Sequence, residues 1–135
     1  MATRIQNKFP IDTKPRVAVG VSIPFNGPAV FNLTYQTKDQ IKSNLMNYFM
    51  TNTGERIFNP SFGANLRATV FEQITANNID GIKLMITADL KRFFPMVTIN
   101  SLDVYGTEDL HVIQITLNYS VINFGINDTL ELTLI

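Results

Sequence analysis

Apolar positions along this chain follow two different periods. From Ile41 to Phe49 they recur at helical spacing: Ile41, Leu45, Tyr48 and Phe49 form one face, flanked by Met46 and Met50. Thr37-Lys38-Asp39-Gln40 has the form of a capping box, with Thr37 at the N-cap and Gln40 three residues on. Asn52-Thr53-Gly54 stops that helix, and Gly54 suits the left-handed position past a helix end. Ile79, Ile82, Ile86, Leu90 and Phe93 predict a second, longer helix, capped near Thr75 or Asn78 and ended by Pro95. Between them, Asn59-Pro60-Ser61 and Gly63 are breaks, and Asn65 to Phe71 predicts a short helix on Leu66, Val70 and Phe71.

The last forty or so residues change to period two. Val97 and Ile99 share one parity, whereas Leu102 and Val104 share the other, which predicts a bulge near Asn100-Ser101. His111, Ile113, Ile115, Leu117, Tyr119 and Val121 alternate on one face, after a hairpin connection at Gly106 to Asp109. A turn over Gly125 to Asp128 then leads to Leu130, Leu132 and Leu134, with Thr129, Glu131 and Thr133 opposite. Near the start, Val17, Val19, Val21 and Ile23 also alternate, as a strand or as an arm lying on a neighbour. The order predicts a single α+β domain, with helices packed on one face of a mainly antiparallel β-sheet. Residues 1–22 read as an extended N-terminal arm or strand, and 23–135 as the folded domain.

Composition narrows the function. Charged residues make up 16% of the 135, against roughly 25% in ordinary soluble domains. Eleven basic residues balance eleven acidic ones, so the surface carries little long-range field. Such a surface suits a part buried in a larger assembly. No basic stripe points to nucleic acid. There is no cysteine and one histidine, which argues against a disulfide framework or a zinc site. No apolar run approaches the roughly 20 residues that span a bilayer, and the N-terminus lacks a signal-peptide core. The expectation is a cytosolic protein with no cofactor, no metal, no membrane partner and no small-molecule substrate.

Candidate catalysis centres on "TNTGERIFNPSFGANLRATVFE". A glycoside hydrolase needs two carboxylates across a cleft; Glu55 and Glu72 are candidates, with Asp80 a third. The competing reading gives Glu55 and Glu72 to caps or salt bridges with Arg56 or Arg67. His111 alternates with apolar neighbours and reads as a packed structural histidine, not as a catalytic base. No G-x-S-x-G elbow and no phosphate-binding loop is present. Met46 and Met50 read as helix core. What stands out is aromatic density near turns: Phe58, Phe62, Phe71, Phe93 and Phe94. Phe94-Pro95-Met96 is an apolar corner suited to a partner, and the last strand suits addition to a foreign sheet edge.

The same stretch carries a resemblance. Pro24-Phe25, Gly54-Glu55-Arg56, Pro60-Ser61-Phe62-Gly63, Leu66 and Phe71-Glu72 are similar in type and spacing to the contractile-tail baseplate wedge family. That family, long called lysozyme-like, includes a small wedge protein of T-even phages and components of type VI secretion baseplates. The likeness covers roughly residues 23–119. One departure is clear: the family's Glu-Pro-Arg at the end of the long helix is Phe94-Pro95-Met96 here.

The resemblance implies a structural virion protein, not an enzyme. It implies a place in the tail baseplate, reached by assembly in the bacterial host cytoplasm, with other wedge proteins and the tail sheath subunit as partners. Phe94, Pro95 and Met96 would meet a neighbouring wedge subunit, through an apolar rather than a salt-bridged contact. Thr129, Leu130, Glu131, Leu132, Thr133, Leu134 and Ile135 would form the strand that templates the first sheath ring. On that expectation, a chain ending at Asp128 stays folded but fails to start sheath. The corresponding part of a secretion system or tailocin is the alternative, and a peptidoglycan hydrolase is the remaining one.

Overall fold

A computed structural model of the chain describes residues 17–23, 33–70, 72, 75–107, 111–122 and 125–134. The expectations for the arm before Val17, for Pro24-Phe25, Phe71 and Ile135, and for the tip of the first hairpin lie outside those residues. Helix α1 spans Thr37–Met50. It buries the predicted face of Ile41, Leu45, Tyr48 and Phe49, and also Ser43, whose hydroxyl accepts from the Ile23 N–H at 3.2 Å. Met46 is half-buried and Met50 is exposed. The helix begins one residue earlier than its sequence pattern says. Gln36 is the N-cap and makes no side-chain cap bond. Gln40 has other work: its carbonyl accepts from Thr34 Oγ1 at 2.7 Å and its amide donates to Asn44 at 2.8 Å.

Helix α2 is a single turn, Leu66–Val70, with Leu66 and Val70 buried. Helix α3 spans Ala76–Phe93. Thr75 is its N-cap, the hydroxyl accepting from the Asn78 N–H at 3.3 Å. Ile82, Ile86 and Leu90 line its buried face, while Ile79 and Phe93 pack at the margin. Lys91 and Arg92 occupy the last turn, where cations complement the helix dipole. Phe94, next to Pro95, has left the helical region and caps the end.

Among the described residues, two sheets form. The smaller pairs β1, Gly20–Val21, with β2, Leu33–Thr34. The strand read over Val17 to Ile23 is therefore only two residues long. The larger sheet is an antiparallel meander of β3, Val97–Thr107, β4, Val112–Val121, and β5, Ile126–Leu134. The pairing of β3 with β4 slips between Ile99 and Ser101, where the parity change placed the bulge. Asn100 is the extra residue.

Strand β4 buries every second side chain: Ile113, Ile115, Leu117, Tyr119 and Val121. His111 departs from that series. It stands exposed in the turn before β4 with φ of 49°, so it is not the packed histidine that alternation suggests. The turn before β5 is also tighter than expected. Gly125 takes the left-handed conformation, and Ile126, Asn127 and Asp128 already pair with Val121, Ser120 and Tyr119.

Helices and sheet share one core, from Leu45 and Tyr48 through Leu66 and Ile86 to Leu117 and Leu130. Each such side chain contributes about 1.5–3 kcal/mol through its removal from water. Two links meet at Asp128 on the far strand, one from α1 and one from β4. Lys42 Nζ lies 3.7 Å from Asp128, and the Tyr119 hydroxyl donates to the same carboxylate at 3.5 Å. Leu130 is 1% exposed and sits opposite Leu117. Strand β5 is thus a wall of the core, which corrects the expectation that the domain stays folded without it.

Candidate functional site

The segment after α1 is irregular in backbone yet closely tied down. Thr51 is the C-cap of α1, and its hydroxyl donates to Asn47 O at 2.6 Å. Gly54 lies three residues further on, so it is not the residue that ends the helix. Its φ of 88° makes a turn instead, and its N–H donates to Pro60 O at 2.7 Å. That bond closes a loop over residues 54–60. Glu55 folds back on Asn52, accepting from the backbone N–H at 3.1 Å and from the side-chain amide at 2.8 Å. Phe62 N–H donates to Asn59 O at 3.1 Å, the predicted turn at Pro60. Gly63 has φ of 125°, and a Cβ there would lie 2.5 Å from Thr51 O. Only glycine fits where the returning chain crosses the end of α1. Ala64 and Asn65 complete the crossing by donating to Tyr48 O and Thr51 O.

An aromatic cluster holds this loop to the end of α3. Phe62 meets Tyr48 at 5.6 Å and Phe93 at 5.2 Å between centroids, both edge to face. Phe94 meets Tyr48 at 6.2 Å in the same manner. Each such pair adds about 0.5–1.5 kcal/mol beyond the area it buries. The Tyr48 hydroxyl donates to Asp89 at 2.7 Å. Burial first, and then the Asp89 carboxylate, push its ionisation far above the ordinary tyrosine value. Tyr119 is raised likewise, by burial and then by the charge of Asp128 beside it.

The structure brings two predicted groups together. Arg56 and Phe62 from the family motif, and Phe94 from the corner, line a cavity of about 360 Å³ with Asn44, Asn47, Asn59 and Phe93. The Arg56 guanidinium lies 3.9 Å above the Phe62 ring, a cation–π contact. At the corner itself Phe94 is half-buried, while Pro95 and Met96 face outward. Glu55 spends both oxygens on Asn52, and Glu72 is exposed beyond α2, its N–H donating to Thr69 O. The hydrogen bonds of the described residues thus give Glu55 the capping role and join it to no second acid. No group of three potential metal ligands forms among the described residues, and no helix among them is long and apolar enough to cross a membrane.

Sequence reading singled out Phe58 but missed Ile57 and the exposure of both. They are 91% and 101% exposed, although Phe58 counts among the aromatics of an apolar-looking stretch. On β5, Thr129, Glu131 and Thr133 face outward, Leu132 and Leu134 are half-buried, and Leu130 is fixed in the core. The strand is paired on one side by β4 and stands at the end of the described sheet.

Fold and site together are a three-stranded meander with helices packed on it and a tied loop set against the end of α3. Residues 35–129 match the family described as baseplate wedge protein gp25. The chain belongs to that family of structural baseplate proteins. It is 26% identical over 83 residues to baseplate wedge protein gp25 of Enterobacteria phage T4, a match covering 62% of this chain and 63% of that protein. The chain thus aligns with less than two thirds of that relative's length. Two solved structures share the fold. One, a candidate tail lysozyme from Geobacter sulfurreducens, aligns with a TM-score of 0.63 at 20% identity, over 73% of this chain and 90% of that one. The other is a chain of the anti-feeding prophage baseplate, with a TM-score of 0.60 at 22% identity, over 76% and 83%.

Proposed function

We propose that this protein is a wedge component of a contractile-tail baseplate that joins neighbouring wedge subunits and templates the first sheath ring. The observation that carries the second role is the placement of β5. Its inner face is locked by Leu130, and its outer edge faces no described strand. An edge of this kind offers unpaired N–H and C=O groups to an incoming strand. The wedge contact runs through Pro95 and Met96, with Phe94 as the half-buried root. Within the stretch 1–22, Gly20 and Val21 pair with this chain's own β2, and 23–135 act as the folded unit. Assembly takes place in the host cytoplasm.

Truncation does not test the strand, because it removes part of the core. Proline scanning does. Alternate N–H groups of a strand face opposite neighbours, so Leu132→Pro and Thr133→Pro attack different edges. One breaks the β4 pairing and lowers the melting temperature. The other keeps the fold and blocks the outer edge. Electron microscopy of sheath assembly on baseplates containing the folded variant should show bare tubes. Normal sheath with that variant would sink the templating role. The shared fold with an anti-feeding prophage baseplate chain supports, as a second reading, the same role in the baseplate of a secretion system or tailocin; the genes beside this one distinguish the two. The non-enzymatic reading rests on Glu55 serving as a cap: Glu55→Gln should leave peptidoglycan clearing by purified protein unchanged at background.

A further inference from the structure

The loop over residues 54–60 is built to hold two apolar side chains in water. Its base is closed by the Gly54 to Pro60 bond, and Glu55 is turned back onto Asn52. Arg56 is laid on Phe62. Ile57 and Phe58, between these anchors, cover nothing. Full exposure of two large adjacent apolar side chains on a tied backbone is unfavourable in the isolated protein and marks an interaction site. Ordering the loop beforehand lowers the entropy cost of docking.

The neighbourhood adds a charge. Arg56 stands over Phe62 and Arg92 over Phe93, at 3.9 and 5.1 Å, and those two rings are themselves in contact. The cavity beside them is lined by asparagines and aromatic rings, with no acidic side chain. The ion pair found among the described residues, Lys42 with Asp128, lies elsewhere. Guanidiniums laid on rings keep their N–H edges for a planar acceptor, and a carboxylate fits.

We propose that Ile57, Phe58 and the ring-mounted Arg56 and Arg92 form one docking surface for an acidic amphipathic segment of a different protein chain. The segment's apolar side receives Ile57 and Phe58, while its carboxylate meets Arg56 at the mouth of the cavity and its polar groups meet the Asn44 and Asn47 amides. This deepens the wedge-joining role and rests on it. It names a second contact beside the corner and the chemistry of the partner.

The chain has no cysteine, so Phe58→Cys gives a unique thiol for a photo-activated cross-linker. Tails purified from the producing strain with this variant should yield, after irradiation, an adduct to another baseplate protein at a peptide containing Asp or Glu. Arg56→Glu should reduce incorporation into baseplates at least tenfold, and Arg at the cross-linked acid should restore it. Phe58→Ser should reduce incorporation with an unchanged melting temperature, which keeps the test independent of folding. An adduct to a second copy of this chain overturns the proposal. So does a chain present in baseplates whose position 58 cross-links nothing. Absence of the unsubstituted chain from purified baseplates overturns the wedge role itself, and this proposal with it.

Discussion

Strand β4 and the loop over residues 54–60 treat apolar residues in opposite ways. In β4, Ile113, Ile115, Leu117, Tyr119 and Val121 all turn inward, and the pattern alone dictates it, because a one-residue slip would expose the whole set. In the loop Phe58 turns outward, and just past it Phe62 turns inward; no period decides between them. Their fates are set by backbone bonds: the Gly54–Pro60 closure, the Glu55 cap and the Gly63 crossing. Hydrophobicity thus specifies the sheet directly. The loop is specified by polar bonds and glycines, which free its apolar residues for display.

This contrast breaks first in the sheet. Leu117 is fully buried between β3 and β5, so Leu117→Ala should cost about 3–4 kcal/mol in urea unfolding. Gly63→Ala comes next, at about 2–3 kcal/mol, from the left-handed backbone and the clash with Thr51 O. A loss near zero would mean that the loop can leave the end of α1 at little cost.

Tyr48 lies in the core that β4 also lines, and its ring is the floor under Phe62 and Phe94. Tyr48→Phe should cost about 1–2 kcal/mol through the lost bond to Asp89. Its raised ionisation has a defined sign. The folded state holds the phenol proton more tightly than the unfolded chain does. Stability from Tyr48 and Tyr119 is therefore complete below the ordinary tyrosine pKa of about 10 and falls as pH climbs beyond it. Melting in alkaline buffers should show that fall, and the Phe variant should reduce it. The smallest effect on folding belongs to the display residues: Ile57→Ser with Phe58→Ser should change stability by less than about 0.5 kcal/mol and still impair assembly.

The same contrast explains what was legible in advance. Helix α3, the face of α1, the alternation of β4 and the bulge in β3 follow from burial on one face, and periodicity records burial. The β1–β2 pair was not legible, because strands of two residues are too short to show a period. The Gln36 cap was missed because Thr37 and Gln40 imitate a capping box while Gln40 is held by Thr34 and Asn44. His111 keeps the parity of β4 but precedes the strand, in a turn. For the site, the Gly-Glu-Arg and Pro-Ser-Phe-Gly groups were legible as a pattern. Their meeting with Phe94 around one cavity was not, since it needs the return of the chain from α3.

Asn100 adds one residue of slack to β3. Ile99 pairs with Tyr119 and Ser101 with Asn118, so Asn100 has no place in the ladder. If it were deleted, Val97, Ile99, Leu102 and Val104 would still all face inward, now in unbroken alternation. Packing does not need this residue. What it changes is aim, because a bulge bends and twists the strand that carries it, and this strand begins just past Pro95 and Met96. Asn100 works as a set-screw: it orients the corner without holding up the building. A chain without Asn100 should melt no lower than the parent and point its Pro95-Met96 edge in the wrong direction.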